Sequence, residues 1–296
     1  MSSARKGIWL GLGAYLLWGL LPVYWKALRT VPAPEILMHR IVWSFGFLAL
    51  LVILSRQGRT LLAAATQRRT LAIYLGAALL LGLNWFVYIW AVNHDRIVET
   101  SLGYYINPLV SVALGVVVLR ERLGAIQWMA VGIATLGVLF LTWQYGAFPW
   151  VAVVLALSFA CYGLIKKTAP LPALPGLTIE TALLWLPAAG YLGALETQGI
   201  GRFGQSGGWG DSLLVLTGVV TALPLLLFAS AARLVKLSTL GLLQYVSPTC
   251  GLILGVAVYG EPFPRARALG FGIIWLALAV YWLASRAAHR PTLGAS

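Results

Sequence analysis

The sequence predicts an all-α, polytopic membrane protein whose ten transmembrane helices form two five-helix repeats of opposite orientation. Three observations predict this fold class. Of the 296 residues, 60% are hydrophobic and only 10% are charged, whereas a soluble domain needs roughly a quarter of its residues charged to cover its surface. Apolar runs of about twenty residues, enough to cross roughly 30 Å of hydrocarbon as helix, recur along the chain. The two halves of the chain also match each other at one fixed offset.

The apolar runs define the elements. The predicted spans lie at 7–27, 35–55, 71–92, 98–119, 125–143, 149–167, 177–195, 212–232, 237–259 and 267–285. Several contain proline or glycine, which membrane helices tolerate because neighbouring helices satisfy the freed backbone groups.

The basic residues predict the orientation of these spans. An even number of crossings places both termini on one side. The opposite loops and span ends hold 7 of the 21 Lys and Arg residues, and the side with the termini holds 14. The seven are Lys26, Arg29, Arg40, Arg96, Arg202, Arg265 and Arg267. Because cytoplasmic loops carry the excess of positive charge, both termini are expected to be cytoplasmic. This distribution also accounts for the net charge of +13 without nucleic acid as a partner.

An offset of 140 residues brings the halves into register. Seven residues of the fourth span and the loop after it are identical to their counterparts in the ninth span and the loop after it. Leu102, Tyr105, Pro108, Gly115, Val116, Val118 and Glu121 match Leu242, Tyr245, Pro248, Gly255, Val256, Val258 and Glu261. The first and sixth spans match more weakly, through Trp18 and Tyr162. We therefore predict a first repeat at 1–146 and a second at 147–296. A repeat of five spans must invert, and inverted repeats favour carriers that work by alternating access.

The matched prolines predict hinges. Pro108 and Pro248 each free a backbone carbonyl one turn earlier, near Tyr104 and Gln244, and permit a kink. We interpret Tyr104 and Gln244 as equivalent positions on two gates. Static kinks in a packed bundle are the alternative.

Ionisable residues inside the spans are few. His39 and Arg40 lie early in the second span, and Glu180 holds the matching place in the seventh. Such residues usually face a cavity or a partner, so we predict a role in binding substrate or in moving a proton. For His39 and Arg40 the alternative is snorkelling to the membrane surface.

Polar and aromatic residues inside the spans supply further cavity candidates. These are Asn84, Tyr88 and Asn107, together with Trp18 and Tyr162 in the pseudo-equivalent first and sixth spans. Aromatic walls with a few amides suit an uncharged or zwitterionic organic solute. Interfacial belts, which also contain Trp and Tyr, are the competing explanation.

Glu121 and Glu261 precede predicted helices that start near 124 and 265. A carboxylate there complements the partial positive charge of the helix N-terminus, which we favour over a role in coupling. Ser111 with Gly115, and Gly251 with Gly255, form stripes of small residues that favour close helix packing.

Enzyme motifs match formally but lack their context. The loop at 197–211 fits both GxGxxG and GxSxG, the latter around Ser206. Dinucleotide binding and a nucleophile elbow each need a strand before the turn, and none is predicted. Cys161 and Cys250 lie far apart and indicate neither a disulfide nor a metal site. We expect no catalytic residues, no metal and no cofactor.

Four stretches of the chain carry a more specific signal. They are GAYLLWGLLPVYWKAL at 13–28, EILMHRIVWS at 35–44, NWFVYIWAVNHDRIVETSLGYYINPL at 84–109 and LLQYVSPTCGLILGVAVYGE at 242–261. In these the chain resembles the drug/metabolite transporter superfamily, in its EamA-type ten-helix form, and more narrowly the RarD permease subfamily. The resemblance implies two EamA repeats around a central cavity in a bacterial inner membrane. RarD-like proteins are commonly described as chloramphenicol-sensitivity or resistance permeases. The Gly-rich loop at 197–211 departs from the family pattern.

Repeat and resemblance together predict a carrier of small organic metabolites or drugs that exports by alternating access. Uptake, proton coupling and facilitated diffusion all stay open, as do two rival classes: a membrane-embedded enzyme acting on lipids, and a channel or scaffold. The expected partners are the small-molecule substrate and the lipid bilayer, and a monomer is compatible with the pattern.

Overall fold

The computed structural model describes residues 2–94, 96–205, 207–260 and 265–287, which form helices joined by short loops, with no strand in these ranges. The first half contains α1 (Ser3–Ala27), α2 (Ala33–Leu54), α3 (Gly58–Ala65), α4 (Arg68–Asn93), α5 (Ile97–Val117) and α6 (Ala125–Tyr145). The second contains α7 (Trp150–Thr168), α8 (Ala173–Thr197), α9 (Gly207–Leu234), α10 (Leu237–Leu243), α11 (Val246–Ile253), a π-helical segment (Leu254–Val258) and α12 (Arg265–Ala287).

Eight helical stretches among the described residues are long and apolar enough to cross a membrane, with Leu237–Val258 counted as one of them. The long helices α8 and α12 fall outside this set, although α12 contains the apolar stretch Ala268–Leu283. The all-helical, polytopic membrane fold is confirmed. The number of ten spans stays a prediction.

Helix ends follow local chain chemistry. Pro32, Pro149 and Pro172 directly precede α2, α7 and α8, where the missing N–H of proline removes no helical hydrogen bond. At the end of α6, Gly146 adopts φ +76°, a left-handed conformation that glycine enters without steric cost.

The helices related by the 140-residue offset run antiparallel. Tyr245 donates a hydrogen bond from its hydroxyl to the backbone oxygen of Tyr105, at 3.1 Å, and these two residues are counterparts in the repeat. Further along α5, Ser111 lies against Gly241, and Gly115 lies beside the backbone nitrogen of Ser238. Residue numbers therefore rise along α5 as they fall along α10 and α11, which is the geometry that an inverted repeat requires.

The same relation holds for α6 and α12, and for the packing between the halves. Gly137 lies against Ile273 and Ile274, whereas Gly270 lies against Leu141. In addition, α5 packs on α7 as α10 and α11 pack on α1, and α4 packs on α7 as α9 packs on α1. Each half thus builds its main contacts on the other half. The repeat boundary between 146 and 147 stays a prediction.

We call the end of the bundle where α1 begins and α12 ends the terminus side, and the opposite end the far side. On the terminus side, a carboxylate of the first half contacts a helix of the second half. Glu121 accepts hydrogen bonds from the backbone N–H groups of Leu237 (2.6 Å) and Ser238 (3.0 Å) and from the Ser238 hydroxyl (2.6 Å). Close by, Lys236 Nζ donates to the backbone oxygen of Arg122 at 2.8 Å.

These contacts correct the prediction for Glu121. Its carboxylate caps α10, in the other half of the molecule, instead of the helix that follows it in sequence. At the N-terminus of the following helix, α6, the side chain of Gln127 accepts a hydrogen bond from the Gly124 N–H at 2.9 Å. Gly115 allows the approach, because a Cβ atom there would lie 2.7 Å from a Glu121 carboxylate oxygen. The equivalent Glu261 lies outside the described residues.

Candidate functional site

A cavity of about 620 Å³ lies in the half of the bundle nearer the far side. Both repeats contribute walls to it. The lining includes the second half of α1 and of α4, the first half of α5, and the stretch from Gln244 to Val256. It reaches Val98 and Tyr145 at the far-side helix ends. A solute in this space would contact both halves at once.

Arg40 carries the one charged side chain among the described residues that line the cavity. Its Nε–H donates to Thr221 Oγ1 at 3.0 Å. The guanidinium carbon lies 4.9 Å from the ring centroid of Trp25 and 4.9 Å from that of Trp85, a distance at which a cation is attracted to the ring face. Three neighbours therefore fix its position.

The amides around the cavity are partly engaged in structure. Asn84 donates from Nδ2 to the backbone oxygen of Leu155 and to the hydroxyl of Ser158, both at 2.9 Å, which ties α4 to α7. Asn107 accepts from the Ser111 hydroxyl at 3.2 Å. Gln244 also lines the cavity.

Aromatic rings form much of the remaining wall. Trp18 packs edge-on against Phe159, with ring centroids 5.6 Å apart. The other aromatic lining residues are Tyr15, Trp25, Trp85, Tyr88, Tyr104, Tyr105, Tyr145 and Phe271. Such surfaces bind flat apolar groups with little loss of conformational entropy, because the rings have few rotatable bonds.

Several predicted site residues meet at this cavity. They are Trp18, Arg40, Asn84, Tyr88, Tyr104, Asn107, Gln244 and the predicted hinge residue Pro248. Their role in binding stays a prediction, but the structure places them around one common space.

Tyr162 and Glu180 lie elsewhere, in a buried ion-paired cluster. Lys166 Nζ lies 2.7 Å from Glu180 Oε1, and Tyr162 donates to Glu180 Oε2 at 3.1 Å. The lysine and glutamate side chains are only 3% and 0% exposed. Lys166 lies in the last turn of α7. Because the carboxylate is satisfied by these partners, it is not free to contact a solute in the cavity.

His39 also lies outside the cavity lining, although it neighbours Arg40 in sequence. Its Nδ1 accepts from Trp43 Nε1 at 3.2 Å. Its Nε2 has no hydrogen-bond partner among the residues that the structure describes and lies 3.9 Å from a carboxylate oxygen of Glu35. The ring packs against Phe203, with centroids 5.2 Å apart. His39 therefore belongs to the packing between α2 and the loop before α9.

The two predicted hinges differ in this structure. α5 continues through Pro108 without interruption, and the Pro108 carbonyl lies against Gly241. In the second half α10 ends at Leu243 and α11 begins at Val246, so the break falls one turn before Pro248, as the freed carbonyl predicts. Gly251, predicted to pack closely against another helix, instead faces open space in the cavity wall.

Sequence reasoning missed three residues that hold Arg40. Thr221 is an ordinary hydroxyl in an apolar span, and Trp25 and Trp85 have the composition of an interfacial belt. One feature of the sequence could have identified Trp85 as a cavity residue: it directly follows Asn84, which lies one turn before Tyr88, and both of these were cavity candidates. Ser206, with its formal enzyme motif, lies outside the described residues, and within those residues no His, Cys, Asp and Glu side chains cluster as a metal site would require.

Residues 5–143 match the model of the EamA-like transporter family. The chain is 46% identical over 290 residues to Protein RarD of Streptomyces exfoliatus, covering 98% of this chain and 92% of that one. It is 46% identical to the uncharacterized transporter YojE of Bacillus subtilis, covering 95% of this chain and 94% of the relative. A crystal structure of a protein 19% identical in sequence aligns with a TM-score of 0.67 over 95% of this chain and 99% of the other, which shows a shared fold.

Proposed function

The chain belongs to the EamA-like transporter family of the drug/metabolite superfamily, in its RarD branch, and from that premise we propose that it carries small organic molecules across a bacterial cytoplasmic membrane by alternating access. The observation that carries the proposal is the cavity: it is built by both halves and lies nearer the far side than the terminus side. Its volume of about 620 Å³ falls within the range of pockets that enclose small organic ligands.

The antiparallel arrangement of equivalent helices in the two halves, such as α5 and α10–α11, supports a mechanism of alternating access. In an inverted repeat, the two halves can exchange conformations, and the exchange moves the opening from one side of the membrane to the other. In this mechanism, the hydrogen bonds between Glu121 and the start of α10 are the contact that would keep the terminus side closed. Opening that side requires these hydrogen bonds to break while equivalent helices close over the cavity.

Export is the direction we propose. With cytoplasmic termini, the far side faces outward, so the cavity described here belongs to the outward-facing form, from which an exporter would release its cargo; the direction itself rests on the resemblance to the RarD permeases. The family is one of transporters, so we assign no catalytic step to the chain.

The proposal is tested with purified protein in liposomes, using counterflow of labelled amino acids, purines and aromatic drugs. A Gly251→Trp variant places an indole ring in the cavity, because no described residue beyond its own stretch of helix lies within 4 Å of a Cβ atom at Gly251. Its matched control is Gly46→Trp, the same change at an exposed glycine of α2 with nothing within 4 Å.

We expect flux for at least one solute, a loss of tenfold or more in Gly251→Trp, and flux close to that of the unchanged protein in Gly46→Trp. No flux across the whole panel, or equal flux in the two tryptophan variants, would contradict the proposal.

A further inference from the structure

We propose that the cavity takes a small organic anion, a flat aromatic molecule whose carboxylate is bound by the Arg40 guanidinium. This inference rests on the proposed function and names its substrate class. It starts from a positive charge, inside a predicted membrane span, that has no negative partner among the described residues.

The guanidinium of Arg40 has hydrogen-bond donors to spare. Arginine offers five N–H donors in a planar fork, and Thr221 accepts from Nε alone. No described residue accepts from the two terminal amino groups, and none of the three ion pairs among the described residues involves Arg40. A charge at membrane depth is costly when unpaired and usually faces a cavity or a partner. A carboxylate bound at the fork would remove that cost through two parallel charge-assisted hydrogen bonds.

The fork is held ready for such a ligand. Trp25 and Trp85 lie at equal distance from the guanidinium, and the bond to Thr221 fixes its rotation. A donor that is already oriented loses little freedom when the ligand binds, so more of the interaction appears as affinity.

The rest of the cavity fits an aromatic body. Tyr88 and Tyr104 line the same space as Arg40. Trp18 of the first half and Phe159 of the second half form an apolar surface in the wall of this space. No Asp or Glu is among the described lining residues, so a ligand cation would meet a like charge at Arg40 without a compensating carboxylate. Amides and aromatics alone predicted an uncharged or zwitterionic solute. The position of Arg40 adds the requirement for an anionic group.

In the second repeat, the ionisable residue at the corresponding position has an ion-pair partner within the protein. Arg40 and Glu180 occupy the same place in their helices, counted from Pro32 and Pro172, which precede α2 and α8. Glu180 has its own cation, Lys166, at 2.7 Å. The second repeat therefore provides both members of an ion pair, Lys166 and Glu180. The first repeat provides only the cation, Arg40, and in our proposal the carboxylate of the ligand is its partner.

Three probes that share an indole ring separate charge from shape: indole-3-acetate, its neutral amide indole-3-acetamide, and the cation tryptamine. Binding of each is measured by competition against labelled indole-3-acetate on purified protein, and transport by counterflow in liposomes. The variants are Arg40→Gln, which removes the charge, and Arg40→Lys, which keeps the charge but loses the fork. The control is Arg29→Gln, which removes a positive charge exposed outside the cavity, just beyond the end of α1. Thermal unfolding establishes that each variant is folded.

We expect the carboxylate to bind at least tenfold more tightly than the amide, equivalent to about 1.4 kcal/mol, with tryptamine weaker still. Arg40→Gln should abolish this preference while the amide still binds, Arg40→Lys should keep part of it, and Arg29→Gln should keep all of it. Equal binding of acetate and amide in the unchanged protein, or a preference that survives in Arg40→Gln, would overturn the inference. Displacement of indole-3-acetate by an equal concentration of chloride would also overturn it, since the site would then hold any small anion.

Failure of the inference and failure of the carrier proposal give different results. Flux of the amide without a preference for the carboxylate leaves a carrier and removes the anion site. Arg40-dependent binding of the carboxylate without flux of any probe leaves the anion site and argues against the carrier.

Discussion

His39 and Arg40 are neighbours in sequence, yet only one of them reaches the cavity. Successive residues of an α-helix project about 100° apart, so two polar neighbours in one span cannot face the same direction. Arg40 lies between two tryptophans at the cavity wall, whereas His39 packs on Trp43 and Phe203. The sequence predicted a role in binding substrate or in moving a proton for both residues, and the structure places only Arg40 at the cavity wall.

The Glu180 cluster leads to a prediction about stability. Lys166→Met leaves the buried Glu180 carboxylate without its cation, and breaking a buried pair in this way costs about 3–5 kcal/mol. We expect a clearly lower apparent unfolding temperature in detergent. Adding Glu180→Met to form the double variant should recover most of the loss, because no unpaired charge then remains. Lys6→Met, at an exposed position, is the control. If the double variant is no more stable than Lys166→Met, the ion pair is not what the cluster depends on.

At the residue scale, the sequence predicted the types of side chain that line the cavity better than it predicted which individual residues line it. Intramembrane polarity identified Arg40, Asn84 and Gln244, which line it. The same signal identified Glu180, which does not, because its partner Lys166 comes from another helix and only tertiary packing brings the two together. Trp25 and Trp85 were missed for a related reason: a belt tryptophan and a cavity tryptophan have the same sequence signature.

At the scale of elements, the predicted spans agree with the helices to within a few residues in most cases, because apolar length decides both. The prediction of 35–55 compares with Ala33–Leu54. The exception is 212–232, where α9 begins at Gly207, inside the Gly-rich stretch that was predicted to be loop. Glycine has a low helix propensity, but packing of α9 on α1 and α2 overrides it.

The contact between α2 and α9 gives a second prediction. A Cβ atom at Gly218 would lie 2.3 Å from the backbone carbon of Trp43 and 2.4 Å from its oxygen, and backbone atoms cannot rotate away. Gly218→Ala should therefore force the two helices apart, at a cost of about 1–3 kcal/mol or more, and lower the apparent unfolding temperature. The matched control is Gly46→Ala in α2, where an added Cβ has no neighbour within 4 Å in the described part of the chain beyond its own stretch of helix. Equal stability of the two variants would show that the close approach at Gly218 is not required.

At the scale of the whole molecule, sequence predicted the inversion and missed how the halves hold each other. The fixed offset identified α5 and α10–α11 as counterparts, and their antiparallel contact at Tyr105 and Tyr245 follows from it. The cap that Glu121 places on α10 has no local signature, because the helix it serves is more than a hundred residues away and its own neighbour, α6, presents an equally plausible N-terminus.

That cap leads to a prediction about the balance between the two access states. Glu121→Gln removes the negative charge from the start of α10 and weakens the hydrogen bonds to Leu237 and Ser238. A cap contributes about 0.5–2 kcal/mol and a charge at a helix end about 0.3–1 kcal/mol, and about 1.4 kcal/mol changes an equilibrium tenfold. The variant should therefore populate the state that is open to the terminus side several-fold more than the unchanged protein does.

A cysteine in the cavity wall reports that balance. Gly251→Cys, in a protein with Cys161→Ser and Cys250→Ser, lines the cavity and can be labelled by a membrane-impermeant maleimide. With the cap intact, labelling should occur from the outside of cells, since the far side faces outward when both termini are cytoplasmic. Glu121→Gln should slow external labelling several-fold and raise labelling in inside-out vesicles, whereas Glu196→Gln, an exposed carboxylate away from α10, should change neither. Labelling only from the cytoplasmic face would contradict the orientation of the termini, and labelling rates independent of Glu121 would show that its hydrogen bonds do not hold the terminus side closed.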